Sequence, residues 1–226
     1  MTMPFYVAPE QVMKDRADYA RKGIARGRAL VAAICSDGIV LCAENPSRML
    51  RKVSEIYDRI GFAGVGKYNE FDQLRIAGIR HADLKGYAFS REDVDARSLA
   101  NQYAQILGNV FTHEMKPMEV EILVSEVGES TETDQLFHIL YDGTLVDEDN
   151  FCVLGGDSEA VAERMAEHWH LDADRDETIA LCVSALAGDD RTLSPLELEV
   201  AILDRSAERR RFTRLGDDVV AGAIGA

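Results

Sequence analysis

The chain of 226 residues is poor in cysteine and has no excess of basic residues. None of its four cysteines lies in a CxxC motif or a Cys/His zinc motif, which predicts free thiols, a reducing compartment and no metal centre. Acidic residues number 40 against 25 basic ones, a formal net charge of −15. Nucleic acids and anionic membrane surfaces bind basic faces, so we expect neither as a partner.

Long apolar runs are also missing. No stretch of about 18 apolar residues is available for a transmembrane helix. Residues 1–7 lack the basic start and apolar core of a signal peptide, so we expect a cytoplasmic protein. The Gly155-Gly156-Asp157 turn lacks the Lys-Ser/Thr pair of a P-loop, and we expect no cofactor.

Two apolar runs flank a turn, Ser36-Asp37-Gly38, within residues 29–44. Both runs are apolar at consecutive positions, so both faces of each strand are apolar. This pattern predicts a hairpin in a sheet that is covered on both faces. A second predicted hairpin turns at Asp58-Arg59 and leads into a helix that opens near Lys67. The capping-box pattern at Ser90 predicts the start of the next helix.

The predicted element order is strands, two helices, strands, two helices, strands. Helix pairs of this kind must cover sheet faces, so the pattern indicates an α+β fold with four layers, an αββα sandwich. No linker divides the chain, and we expect one domain over residues 1–226. It comprises an N-terminal segment and helix (1–28), the sandwich (29–215) and a flexible tail (216–226).

Five short segments together resemble a known family. They are FYVAPEQ (5–11), RKGIAR (21–26), AENPSR (43–48), KVSEIYDR (52–59) and GKYNEFD (66–72). These segments are similar to the proteasome subunit family, a branch of the N-terminal nucleophile hydrolases, and in particular to the alpha type of bacterial, actinomycete-type 20S core particles. The resemblance covers nearly the whole chain and implies the family's four-layer sandwich. Ala8 departs from the family's frequent serine, which removes a helix cap worth about 1 kcal/mol.

The residue that would act as nucleophile is absent. Active members of the family use the first residue of the first strand as nucleophile and its free amine as base. Here Arg28 stands at that position, although Glu44 and Lys52 match the family's carboxylate and lysine. No Thr, Ser or Cys occurs between Lys22 and Ile34. The resemblance therefore implies a non-catalytic alpha subunit, with no catalytic residue of its own.

The resemblance also implies the partners. Alpha subunits of this family form outer homo-heptameric rings on rings of catalytic beta subunits. They gate the passage of unfolded protein substrates and bind a ring-shaped AAA ATPase, through its C-terminus, for the degradation of tagged proteins. Lys52 matches the lysine that pairs with the terminal carboxylate of the ATPase, a charge-assisted contact.

Two further segments are expected to line the pore. The first is the uncharged, largely apolar N-terminal segment, which we expect to converge as a gate around the ring axis. It consists of Met1, Thr2, Met3, Pro4, Phe5, Tyr6 and Val7. The second is the loop after the second long helix, which the resemblance places behind the gate. It contains His113, Glu114, Met115 and Lys116.

Two other functions remain open. One is an active, self-processed hydrolase in which Thr2 becomes the nucleophile; the other is an unrelated acidic α/β binding module. A metal site at His168 and His170 is disfavoured, because residues two apart on a helix point to different sides. His81, His113 and His138 stand alone in the sequence and indicate no site.

Overall fold

The computed structural model describes residues 8–225, and no helix within them is long and apolar enough to cross a membrane. The α-helices are α1 (Pro9–Ala25), α2 (Tyr68–Ala88), α3 (Ala96–His113), α4 (Ser158–His168), α5 (Arg175–Ala187) and α6 (Asp217–Ile224). The strands are β1 (Leu30–Cys35), β2 (Gly38–Glu44), β3 (Val53–Tyr57), β4 (Ile60–Gly66), β5 (Val120–Glu126), β6 (Gln135–Ile139), β7 (Leu145–Glu148), β8 (Phe151–Leu154), β9 (Leu198–Asp204) and β10 (Phe212–Arg214).

The strands form two five-stranded antiparallel sheets. The first sheet has the order β10-β9-β2-β1-β8 and the second the order β3-β4-β5-β6-β7. Helices α2 and α3 pack on the outer face of the second sheet, and α4, α5 and α6 pack on the outer face of the first. A third apolar cluster fills the space between the sheets. This arrangement confirms the α+β fold and the αββα sandwich.

The β1–β2 hairpin shows why the sequence is apolar at consecutive positions. Every residue of both strands is buried. Leu30 and Ala32 face the second sheet, whereas Val31 and Ala33 face the helices. A strand covered on both sides must be apolar on both sides, so the first hairpin prediction is confirmed.

The start of α3 differs from the prediction. Ser90 accepts a hydrogen bond from the amide of Glu92 and caps only a 3₁₀ turn. The α-helix begins at Ala96, because Asp95 is its N-cap and accepts a hydrogen bond from the amide of Ser98 at 2.7 Å. Both residues have capping side chains, and the second one opens the longer helix.

The chain after Gly216 is also more regular than expected. Residues 217–224 form α6, which we had predicted to be part of a loosely ordered tail. Val220 is buried, and Ala223 and Ile224 pack against the cluster that α5 shares with the first sheet. The helix is short and its stability comes from this packing, which local composition does not reveal.

Helix α1 precedes the sandwich. Pro9 occupies its first turn, and Ala8 at the N-cap makes no side-chain capping bond. Ala20 and Ile24, in the last turns of the helix, are buried in the apolar cluster between the sheets. The predicted gate, residues 1–7, lies outside the described residues.

Candidate functional site

A charged cluster lies in front of β1, where an active family member would carry its nucleophile. Arg28 precedes the strand and forms an ion pair with the carboxylate of Glu44 at the end of β2. Glu44 is buried, with 5% of its side chain exposed, whereas 49% of the Arg28 side chain is exposed. At the predicted position of the nucleophile, the structure thus has a guanidinium group paired with a buried carboxylate.

A second arginine binds the same carboxylate. Arg191, from the loop after α5, donates to Glu44 Oε1 at 3.1 Å and to Oε2 at 3.3 Å. Its guanidinium also donates to the carbonyl of Leu186 at 2.8 Å. Both oxygens of Glu44 thus accept charge-assisted hydrogen bonds. A cleft of about 560 Å³ opens beside this cluster, and the described residues that line it include no serine, threonine or cysteine.

Lys52 is the residue before β3, and its side chain reaches the backbone of Arg28 and Glu44. Its ammonium donates to the backbone carbonyls of Arg28 at 2.7 Å and Glu44 at 3.1 Å. Burial lowers the pKa of Lys52 to about 8, although the charges of Glu44 and Glu199 act in the opposite direction. Lys52 thus has two of its three donor protons engaged, and its charge is sensitive to pH near neutrality.

Glu199 on β9 fixes the backbone of Lys52, and the sequence analysis missed it. Its carboxylate, 2% exposed, pairs with Arg214. It also accepts hydrogen bonds from the side-chain amide of Asn45 at 2.7 Å and from the backbone amide of Lys52 at 2.9 Å. The available indication was a glutamate followed by four apolar residues, Val200 to Leu203, in a buried strand, where a charge needs partners.

The loop after α3 is anchored on one side and exposed at its tip. Lys116 Nζ lies 2.9 Å from carboxylate oxygens of both Glu70 and Glu119. Partial burial would raise the pKa of Glu70, but its bonds from Lys116 and from the Glu119 amide lower it overall. The neighbouring Met115 is fully exposed.

Helix α1 holds the other side of this loop. Arg16 donates to the carbonyls of Glu114 at 2.5 Å and Val110 at 3.1 Å. His113 is the last residue of α3. The structure thus places the four predicted pore-loop residues together beside α1, whose N-terminus continues into residues 1–7.

The histidines divide into two groups. Among the described residues, His168 and His170 belong to no group of three metal-ligating side chains. The expectation that His138 stands alone is wrong, because the folded chain brings it next to Glu148 and Cys152. All four cysteines are free and buried.

Comparison with known proteins identifies related sequences. Residues 24–203 match the sequence model described as "Proteasome subunit". The chain is 63% identical over 225 residues to a "Proteasome subunit alpha" of Acidimicrobium ferrooxidans, covering 100% of this chain and 97% of that protein. It is 52% identical over 233 residues to a protein of the same name from Kineococcus radiotolerans, covering 99% of this chain and 98% of that protein. The similar protein of Sanguibacter keddieii is 54% identical over 234 residues, covering 100% and 92%.

Proposed function

This chain belongs to the proteasome subunit family, and we propose that it is the non-catalytic alpha subunit of a cytoplasmic proteasome core particle. The observation that carries this proposal is Arg28, paired with the buried Glu44 at the place of the nucleophile. Catalysis of the N-terminal nucleophile type needs a hydroxyl or thiol and a free amine on one residue. Arg28 offers neither group, because its backbone nitrogen lies within the chain that continues from α1. Peptide hydrolysis in the assembled particle is therefore the work of separate beta subunits.

An exposed apolar patch supports assembly into a larger particle. At the end of α2, the side chains of Leu84, Tyr87 and Phe89 are 70%, 93% and 77% exposed. Large apolar side chains exposed together mark interaction surfaces. We assign this patch to contact with a neighbouring subunit of the core particle, whose outer rings would contain seven copies of this chain.

The cluster around Lys52 suits the carboxyl terminus of an ATPase. Arg28 and Arg191 pair with the carboxylate of Glu44, and the ammonium of Lys52 donates to the backbone carbonyl of the same residue. An incoming carboxylate can therefore bind these three cationic groups, although Asp157, Asp189 and Asp190 also line the cleft. The guanidinium groups stay half exposed, at 49% and 51% of the side chain. Nearby in sequence, Met49 and Leu50 are 89% and 46% exposed and offer apolar contact to the last side chains of the partner.

Two constrictions would control the passage of unfolded substrates. The N-terminal segment, Met1 to Val7, carries no side-chain charge, and around a ring axis its copies can pack on one another. The loop from His113 to Lys116 lies next to α1 and presents the fully exposed Met115. Anchoring of this loop by Arg16 and Glu70 suits a rigid constriction behind the gate.

The decisive experiment separates this role from the self-processed hydrolase. The chain is produced alone and together with its beta partner, and both preparations are treated with a covalent threonine-directed inhibitor. We expect no peptide hydrolysis and no labelling of the isolated chain, and activity with labelling of the beta chain in the complex. Labelling of the isolated chain at Thr2 would establish the alternative. Native mass spectrometry of the two preparations tests ring assembly, since an unrelated binding module would stay a small oligomer.

A further inference from the structure

Four ionisable side chains meet in the apolar layer between the two sheets. Three come from neighbouring strands of the second sheet, namely Glu121 on β5, His138 on β6 and Glu148 on β7, and the fourth is Cys152 on β8 of the first sheet. Strand alternation directs them into the same layer that contains the apolar core between the sheets. Side chains at such positions are normally apolar, so a group of titratable side chains there requires an explanation.

The contacts within this group are long. The Cys152 thiol donates a hydrogen bond to Glu148 Oε1 at 4.0 Å, and His138 Nδ1 lies 3.7 Å from the same oxygen. On the other side of the ring, His138 Nε2 is 3.7 Å from Glu121 Oε2 and is buried without a hydrogen-bond partner among the described residues. The imidazole ring is therefore close to both carboxylates but too far from them for a normal hydrogen bond.

The same separations fit donor atoms around a common ion. One donor atom from each of His138, Glu148 and Cys152 lies within 4.8 Å of the others. A tetrahedral zinc ion with bonds of about 2.0–2.3 Å holds its donor atoms about 3.3–3.8 Å apart. The donor atoms of His138, Glu148 and Cys152 are therefore at most about 1–1.5 Å farther apart than the ligands of one zinc ion.

The types of donor select the metal. Imidazole nitrogen, thiolate sulfur and carboxylate oxygen together suit Zn²⁺, whereas Mg²⁺ and Ca²⁺ prefer oxygen alone. Glu121 faces the ring nitrogen of His138 that points away from Glu148, which is the usual place of the carboxylate that orients a metal-bound histidine. Glu148 is 32% exposed, so water can reach a fourth position.

We propose that His138, Glu148 and Cys152 bind a zinc ion, and that Glu121 orients His138 as a positioning residue. Strands β7 and β8 are edge strands of the two different sheets. An ion bound there joins the open edges of the sandwich, so its role is structural. Binding displaces the proton of the Cys152 thiol to solvent, because zinc binds the thiolate.

An ion cluster without metal is the competing arrangement. Burial lowers the pKa of His138, but the thiol and the two carboxylates outweigh it and raise the pKa to about 12. In that arrangement His138 stays protonated between Glu121 and Glu148 and binds no metal. The two arrangements therefore differ in zinc stoichiometry and in the contribution of the Cys152 sulfur.

Zinc binding by the purified full chain provides the test. The protein is stripped with a chelator and titrated with zinc against a chromophoric competitor. We expect one zinc per chain, and an affinity loss in Cys152→Ala and His138→Gln that exceeds the 10–100-fold typical of an outer-shell partner. Glu121→Gln should fall within that 10–100-fold range. Cys42→Ala is the matched control, because Cys42 is an equally buried thiol that faces the helices.

Two further measurements keep the test decisive. Cobalt substituted for zinc should give a thiolate charge-transfer band that is present in Cys42→Ala and absent in Cys152→Ala. If the core variants do not fold, Glu148→Gln decides the question, since this partly exposed side chain keeps its size. A chain that binds no stoichiometric zinc, or Cys152→Ala and Glu148→Gln variants that bind zinc as tightly as the wild type, would overturn the proposal.

Discussion

Glu199→Gln should destabilise the chain more than its conservative chemistry suggests. The carboxylate is 2% exposed and every partner it has among the described residues is a donor: the Arg214 guanidinium, the Asn45 side-chain amide and the backbone amides of Lys52 and Val53. Glutamine replaces one acceptor oxygen with an NH₂ group, which must then face one of these donors. It also leaves the Arg214 guanidinium without its counter-charge.

The expected cost follows from these contacts. Breaking a fully buried ion pair costs about 3–5 kcal/mol. However, 31% of the Arg214 side chain is exposed and water can solvate its charge. We therefore expect the cost of leaving buried polar groups unsatisfied, about 1–3 kcal/mol. For a chain of 226 residues, each kcal/mol lowers Tm by about 2–4 °C, so a decrease of about 2–12 °C is expected. Differential scanning calorimetry of the purified variant measures it. The control is Glu163→Gln on the exposed side of α4, which should change the free energy of unfolding by no more than about 0.5 kcal/mol.

A Tm for Glu199→Gln equal to that of Glu163→Gln would refute this reasoning. It would mean that Arg214 and the amide donors find other partners or water without loss. Because Glu199 accepts from the Lys52 amide at 2.9 Å, the same result would remove the basis for a fixed lysine in front of β1.

The architecture could be predicted from the sequence because burial on both faces of a strand produces a local pattern of consecutive apolar residues. Strands β1 and β2 are apolar at consecutive positions, and Gly38, the first residue of β2, adopts a φ of 145° as the chain leaves the turn. The absence of a nucleophile could also be predicted, since it depends only on which residue precedes β1. Helix α6 could not be predicted in this way, because its stability depends on the surface of α5 rather than on its own residues.

The charged sites were less accessible to sequence reasoning, since their members are far apart along the chain. Arg191 and Glu44 are separated by 147 residues, and only the fold brings the α5 loop to the end of β2. His138 and Cys152 belong to different sheets, so their contact depends on how the sheets pack rather than on spacing. A charged residue within a buried strand, such as Glu199, was the available local indication.

Three further predictions concern the assembled particle. Lys52→Ala should leave assembly and small-peptide hydrolysis near wild type but weaken ATPase binding at least about 30-fold. The reason is that loss of one partner of a partly buried charge pair costs about 2–5 kcal/mol. Unchanged binding would exclude Lys52 as the docking residue. Deletion of residues 1–7 with Pro9 retained should raise peptide hydrolysis severalfold, and a fully assembled truncated particle without that rise would show that the segment is not the gate. The last prediction is a pH dependence: the pKa of Lys52 is about 8, so its ammonium is present below that pH and is lost as the pH rises through it. ATPase binding should therefore weaken between about pH 7 and 9 in the wild type but not in Lys52→Arg, because a guanidinium stays charged throughout this range. An equal pH dependence in both particles would place the titrating group elsewhere.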